Sequence, residues 1–278
     1  MSGTKTTDSA FNIPLESYGV LLRDEPDSLL DEVAEQVRRI GYAVLDSEFS
    51  TDFIFSFAET FDRTRFNYLQ KWGEQRLRAA GELHTIRAPL TQENDYFIKL
   101  ATADNLIKVL RKLIRGKFIL NQQNGVINPP GETYGQGAWH RDLPYQHFLS
   151  STPIAINALY CVDDFTVNNG ATFVLPASHK TENFPSLCYL NRNAIQIEAK
   201  AGQFILLDCM IYHAGGFNRT PEERRAVNHV FTIPYFKQQI KLSDIMKDNK
   251  LTNAEQELFG FQFQEPTSIE QYLNQRMR

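Results

Sequence analysis

From residue 117 onward the chain falls into short runs rich in β-branched and aromatic residues, each closed by a turn signal. The runs span 117–127, 154–162, 172–175, 195–198, 203–207 and 226–233, with Pro129-Pro130-Gly131 and Asn168-Asn169-Gly170 among the punctuation. Many short strands at this spacing predict an antiparallel sandwich or jelly roll, an arrangement that leaves few sheet edges exposed.

Upstream the period changes to that of helices. Leu29, Leu30, Val33, Val37 and Ile40 recur at helical spacing and stop at Gly41, a residue suited to the left-handed C′ position. Residues 42–45 then read as a short strand. Residues 53–79 are again helix-periodic, with Phe53, Phe57, Phe61, Phe66 and Leu69 on the pattern, and the aromatic stripe Phe53, Phe57, Phe61 is assigned to the core. The stretch through Pro89 is ambiguous. A further helix over 103–115 ends at Gly116. Helices first and strands later describe one α+β unit in which helices cover a sheet. The expected organisation is a disordered lead at 1–12 and a single domain over 13–278. Within it, 13–116 is helical, 117–236 is the jelly-roll core, and 237–278 is a helical tail, solvated after Lys241.

Composition narrows the functional classes. The 278 residues carry 29 Lys+Arg against 33 Asp+Glu, a formal charge of −4, so no global field draws the chain to nucleic acid or to an anionic membrane. Lys108, Arg111, Lys112, Arg115 and Lys117 cluster on one helix, and a solvated helix face explains them. The three cysteines, Cys161, Cys188 and Cys209, are widely spaced and form no C-x-x-C pair, which argues against a disulfide framework and against a cysteine zinc site. No export signal or run of ~18 apolar residues is visible. A cytoplasmic protein acting on a small molecule, with neither nucleic acid nor membrane as partner, is the expectation; oligomeric state cannot be read.

The densest group of reactive side chains is Trp139-His140-Arg141-Asp142-Leu143-Pro144-Tyr145, preceded by the glycine-rich stretch 131–137. That stretch lacks the helix and lysine of a phosphate loop and reads as a mobile lip. On an extended backbone His140 and Asp142, two apart, project to the same face and can share one ligand. His213 ends a strongly apolar strand and supplies a third donor. Two imidazoles and one carboxylate on a rigid β scaffold are the ligand set of a facial triad, the site type of non-haem Fe(II) oxygenases. Eleven residues past His213, Arg224-Arg225 opens a new β segment. An arginine entering the barrel there could hold a dicarboxylate with its planar fork. The two positive charges of Fe(II), one negative charge of Asp142, two of bound 2-oxoglutarate and one positive charge of arginine cancel, so such a site leaves no unpaired buried ion.

Rival ligands are weaker on the pattern. Asp208 could compete as the carboxylate, yet only Asp142 has a histidine two residues away; an acid ending an apolar strand more often accepts a turn hydrogen bond. His147 and His179 read as structural or substrate-facing. His229 and Arg225 point away from Arg224 on an alternating strand. His84 has no context.

The motifs WHRDLPYQ, NNGATFVLPASHK and HAGGFNRTPEERRA together resemble the phytanoyl-CoA dioxygenase family of Fe(II)/2-oxoglutarate oxygenases, most strongly over 128–234. The resemblance implies a double-stranded β-helix of the jelly-roll, cupin-like kind, flanked by N-terminal and C-terminal helices. It implies His140, Asp142 and His213 as iron ligands and Arg224 as the partner of the 2-oxoglutarate C5 carboxylate. By position, Asn157 and Thr172 stand beside the co-substrate. Two departures are visible: Gly215 occupies the place of a serine that helps bind the co-substrate in some members, and Leu159 that of a bulky tryptophan. The implied activity is O₂-dependent hydroxylation of a small molecule with release of succinate and CO₂. A zinc-dependent hydrolase on the same triad and a non-catalytic ligand-binding jelly roll are the alternatives from other classes. Selectivity is expected in the loops around Gln136, 145–151 and 184–193.

Overall fold

The structure, a computed structural model, describes residues 14, 16–92, 94–143 and 148–277. The expected disordered lead at 1–12 and His147 lie outside the described residues.

Local signals set the first elements. Helix α1 (Leu29–Ile40) is capped by the Ser28 hydroxyl, which accepts from the Asp31 N–H, and it ends at Gly41 with φ 87°. Strand β1 (Tyr42–Asp46) follows. Helices α2 (Thr51–Trp72) and α3 (Glu74–Ala79) are divided at Gly73, whose φ of 77° interrupts the helix. Strand β2 (Thr85–Arg87), α4 (Asn94–Ala101), α5 (Asp104–Leu113) and β3 (Ile119–Asn128) come next. The remainder runs β4 (Ala155–Cys161), β5 (Phe173–Val174), α6 (Leu187–Asn193), β6 (Ile195–Gln196), β7 (Gln203–Asp208), β8 (His213–Ala214), β9 (Arg224–Thr232), α7 (Leu242–Ile245), α8 (Asn253–Leu258) and α9 (Ile269–Arg276).

Two antiparallel sheets face each other. The larger has the order β1-β7-β4-β9-β3-β2 and the smaller β6-β5-β8, with an isolated bridge from His140 to His213 extending the smaller sheet past β8. This is the α+β jelly roll expected from the strand texture, in the double-stranded β-helix form that the family resemblance implies. Side chains along the large sheet alternate between two cores. Ile156, Ala158, Tyr160, Phe204, Leu206, Val227 and Phe231 pack outward with Phe57, Phe61, Val109 and Leu110 of the covering helices. Cys161, Ile205, Leu207, Ala226 and Val126 pack inward with Phe165 and Val174. Each large side chain so buried contributes about 1.5–3 kcal/mol, and a slip of one residue would exchange the faces.

Three features were not legible in advance. Strand β2 is three residues long and exists through its pairing with Val126, Gly125 and Asn124 of β3. Helix α4 is too short for its periodicity to stand out. The tail is only partly solvated: Leu242, Met246, Leu258 and Phe259 of α7–α8 and their flanks are buried, whereas α9 buries no residue. Apolar side chains in the tail close the helical core, and the expectation of a fully solvated tail is corrected accordingly. Among the described residues no helix is long and apolar enough to cross a membrane.

Candidate metal centre

His140 and His213 exchange both backbone hydrogen bonds, His140 N to His213 O at 2.9 Å and His213 N to His140 O at 3.1 Å. Residues paired in this way project from the same face of a sheet, and the two imidazole centroids lie 4.3 Å apart. The chain stays extended through Arg141, so Asp142 returns to the same side, its N–H donating to Cys209 O at 3.1 Å. Arg141 points away. Its guanidinium donates to Ser178 O at 2.9 Å and stacks 4.0 Å from the Tyr212 ring centroid, fixing the ligand strand to the 178–182 turn.

The triad offers defined atoms. His140 Nδ1 lies 2.8 Å from Ala138 O, and His213 Nδ1 lies 3.1 Å from Ile211 O. A carbonyl partner assigns the proton to each Nδ1 and leaves each Nε2 with its lone pair. These Nε2 atoms stand 3.9 and 3.6 Å from Asp142 Oδ1. One donor atom from each of the three residues lies within 4.8 Å of the others. Asp142 Oδ2 is engaged separately, accepting from Asn157 Nδ2 at 2.8 Å. Burial depresses the pKa of His213; the adjacent Asp142 carboxylate pulls the other way, and His140 adds to the depression. The donor set is that of a divalent transition-metal site, with two neutral imidazoles and one carboxylate tied in place by its neighbours.

Arg224 enters the same cavity and is 2% exposed. Its Nη1–H donates to Gly170 O at 2.8 Å, its Nη2–H to the Tyr134 hydroxyl at 3.4 Å, and its face covers the Phe165 ring at 3.9 Å. No carboxylate pairs with it among the described residues, and its buried Nε–H has no acceptor. Desolvation pulls its pKa below the usual guanidinium range. Arg225, one residue on, faces the other way and is committed: Nε and Nη2 hold Asp163 at 3.0 and 2.6 Å, and Nη1 meets Asp62 at 2.8 Å.

The cavity measures about 110 Å³ and is lined by the triad, Arg224, Tyr134, Thr172, Asn157, Leu159, Gly215 and an inward row from β3 and β9. Thr172 stands in the wall. Asn157 lines it too, but its amide nitrogen is engaged by Asp142. Sequence reasoning missed Tyr134 and the amides Gln122, Asn124 and Asn228. The amides had a signal: four successive amides, Asn121 to Asn124, interrupt a strand that is apolar on both sides, so two of them must share its inner face. Tyr134 had none beyond its place in the glycine-rich lip.

The rivals resolve as structural groups. Asp208 ends β7 and accepts from Met210 N at 2.9 Å, with burial raising its pKa to about 6. His179 is buried with Nε2 3.2 Å from Arg38 O, and His229 lies on the outer face with Nδ1 3.0 Å from Ala158 O. His84 sits 3.9 Å from Glu132 of the lip.

Comparison with known proteins adds a lineage to this geometry. The family described as Phytanoyl-CoA dioxygenase (PhyH) matches over residues 37–226. An uncharacterized protein of Mycobacterium tuberculosis is 29% identical over 89% of this chain and 93% of its own length. The ectoine dioxygenase of Stutzerimonas stutzeri is 23% identical over 72% of this chain and 76% of its own. Among solved structures, EctD from S. alaskensis with 2-oxoglutarate and 5-hydroxyectoine superposes with a TM-score of 0.59 at 23% identity, covering 76% of this chain and 78% of that one. The epimerase SnoN from nogalamycin biosynthesis gives 0.58 at 19%, covering 80% and 89%.

Proposed function

Because the chain belongs to the phytanoyl-CoA dioxygenase family, we propose that its cavity carries out Fe(II)- and 2-oxoglutarate-dependent oxygenation of a small molecule, most simply hydroxylation of a C–H bond. The observation that carries this reading is Arg224: a buried guanidinium with no carboxylate partner among the described residues, facing the cavity that the three donor atoms also face. A buried charge left unpaired costs several kcal/mol, so the fold holds a place for an anion.

Each residue has a task. His140 and His213 present Nε2 and Asp142 presents Oδ1 to the metal; Asn157 fixes the carboxylate by holding Oδ2. Arg224 takes the distal carboxylate of the co-substrate, and Thr172 stands beside it. Val126, Leu159, Leu207 and Ala226 give the cavity its apolar lining and exclude water. When bound, iron supplies the oxidising chemistry with O₂ and 2-oxoglutarate, releasing succinate and CO₂.

A cavity of about 110 Å³ is well below the roughly 300 Å³ and upward of a drug-sized pocket, so the enclosed part suits a small chelator. The substrate then approaches from the mouth, beside the lip that Tyr134 and Gln136 bring to the cavity. Asn124 and Asn228 pair across β3 and β9, four residues along from Arg224, and the buried Asn228 Oδ1 has no partner. This end is placed to hydrogen-bond a polar group. The cytoplasm is the compartment we assign, supported by three cysteines that remain free thiols.

Anaerobic addition of 2-oxoglutarate to the Fe(II)-loaded protein tests the proposal. A visible charge-transfer band should appear and be lost in His140→Ala; failure of 2-oxoglutarate to bind the iron form at millimolar concentration would overturn it.

A further inference from the structure

The lip over residues 131–137 is exposed at every position except Tyr134, which turns inward. Its hydroxyl accepts from Arg224 Nη2 at 3.4 Å and lines the cavity. Opposite it stands Gly215. A Cβ there would lie 2.0 Å from the Tyr134 hydroxyl and 2.8 Å from the ring carbon bearing it. Only glycine at 215 therefore lets the phenol reach Arg224. The backbone closes the same contact: Gly215 N–H donates to Gln136 O at 2.8 Å, and Gly131 N–H to Asn218 O at 2.8 Å.

We propose that Tyr134 binds the co-substrate, donating its hydroxyl hydrogen to the distal carboxylate held by Arg224, and that the 131–137 lip thereby closes over 2-oxoglutarate. This rests on the oxygenase reading above. The hydrogen bond from Arg224 uses the phenolic oxygen as acceptor, so the hydroxyl hydrogen is free for an anion. Burial raises the pKa of the phenol, with Arg224 opposing, and the protonated donor persists at neutral pH. The missing hydroxyl at position 215 is thus supplied from across the cavity, on a segment outside both sheets. A hydroxyl on a fixed strand would bind without moving the chain; one on a lip couples binding to closure, with the co-substrate entering before the lip shuts.

The test uses the full chain loaded with Mn(II), without oxygen, titrated calorimetrically with 2-oxoglutarate. A hydrogen bond to a charged group predicts roughly 10- to 100-fold weaker binding in Tyr134→Phe, with Mn(II) affinity unchanged. Glu-C protease cleavage after Glu132 should be slowed by 2-oxoglutarate in the wild type and not in Tyr134→Phe. Should Tyr134→Phe not fold, Gly215→Ala must displace the phenol and should weaken binding similarly. Wild-type affinity in the variant, or equal protection of both proteins, overturns the inference. If the wild type binds no 2-oxoglutarate, the oxygenase reading itself fails; binding indifferent to Tyr134 removes this inference alone.

Discussion

Asn157 Nδ2 reaches Asp142 Oδ2 at 2.8 Å, joining the large sheet to the carboxylate whose other oxygen faces two histidines. The ligand strand and the sheet behind it are therefore one rigid device, and the amide chooses which carboxylate oxygen is offered. Asn157→Ala should weaken metal affinity by about 10–100-fold, the usual cost of losing a group that orients a ligand. Metal titration of the variant, with its fold checked by circular dichroism, measures this.

The reciprocal backbone bonds between His140 and His213 persist when either side chain is removed. His140→Ala and His213→Ala should consequently fold while losing the rise in Tm that Fe(II) gives the wild type, because a ligand binding only the folded form stabilises it by mass action. Thermal denaturation with and without metal is the measurement.

Arg224 and Arg225 should respond differently to the same conservative change. Arg224→Lys loses the planar fork and should raise the KM for 2-oxoglutarate well beyond any change in metal affinity. Arg225→Lys should leave that KM near the wild-type value and lower Tm, since its partners are Asp163 and Asp62 rather than a ligand. Steady-state kinetics beside thermal melts separate the two.

Acid should destabilise the fold between pH 6.5 and about 4. Desolvation holds His179 and His229 each to about 4, so in this window the unfolded chain takes up protons that the folded one refuses. Stability then falls as pH falls, by roughly 1.4 kcal/mol per pH unit for each unmatched proton. Asp208, raised to about 6 by burial, works oppositely, since its folded form binds a proton earlier than its unfolded form and offsets part of the loss. Urea midpoints across this range should fall toward acid, and His179→Gln should flatten the slope.

Gly41→Ala should destabilise without touching the site. The position has φ 87°, and a Cβ would lie 2.7 Å from His179 Nδ1. A left-handed non-glycine residue costs about 1–2 kcal/mol before that contact is counted. Denaturant melts should show at least this loss, with 2-oxoglutarate affinity unchanged.

The chain's own order of residues determined its strands, its capped first helix, the shared face of His140 and Asp142, and the arginine pair at 224–225. These follow from periods of 2 and 3.6 and from residue chemistry, which act over a few positions. Tertiary structure decided what those periods cannot carry. It decided which arginine of the pair faces the cavity, giving Asp163 and Asp62 to Arg225 on the other side, buried α7 and α8 against the helical core, and made β2 a strand through its partner β3. It also brought Tyr134 over the empty side of Gly215, 81 positions later in the chain. Contacts between residues so distant arise from the pairing of strands and the packing of faces, and no local pattern encodes which loop will lie across which glycine.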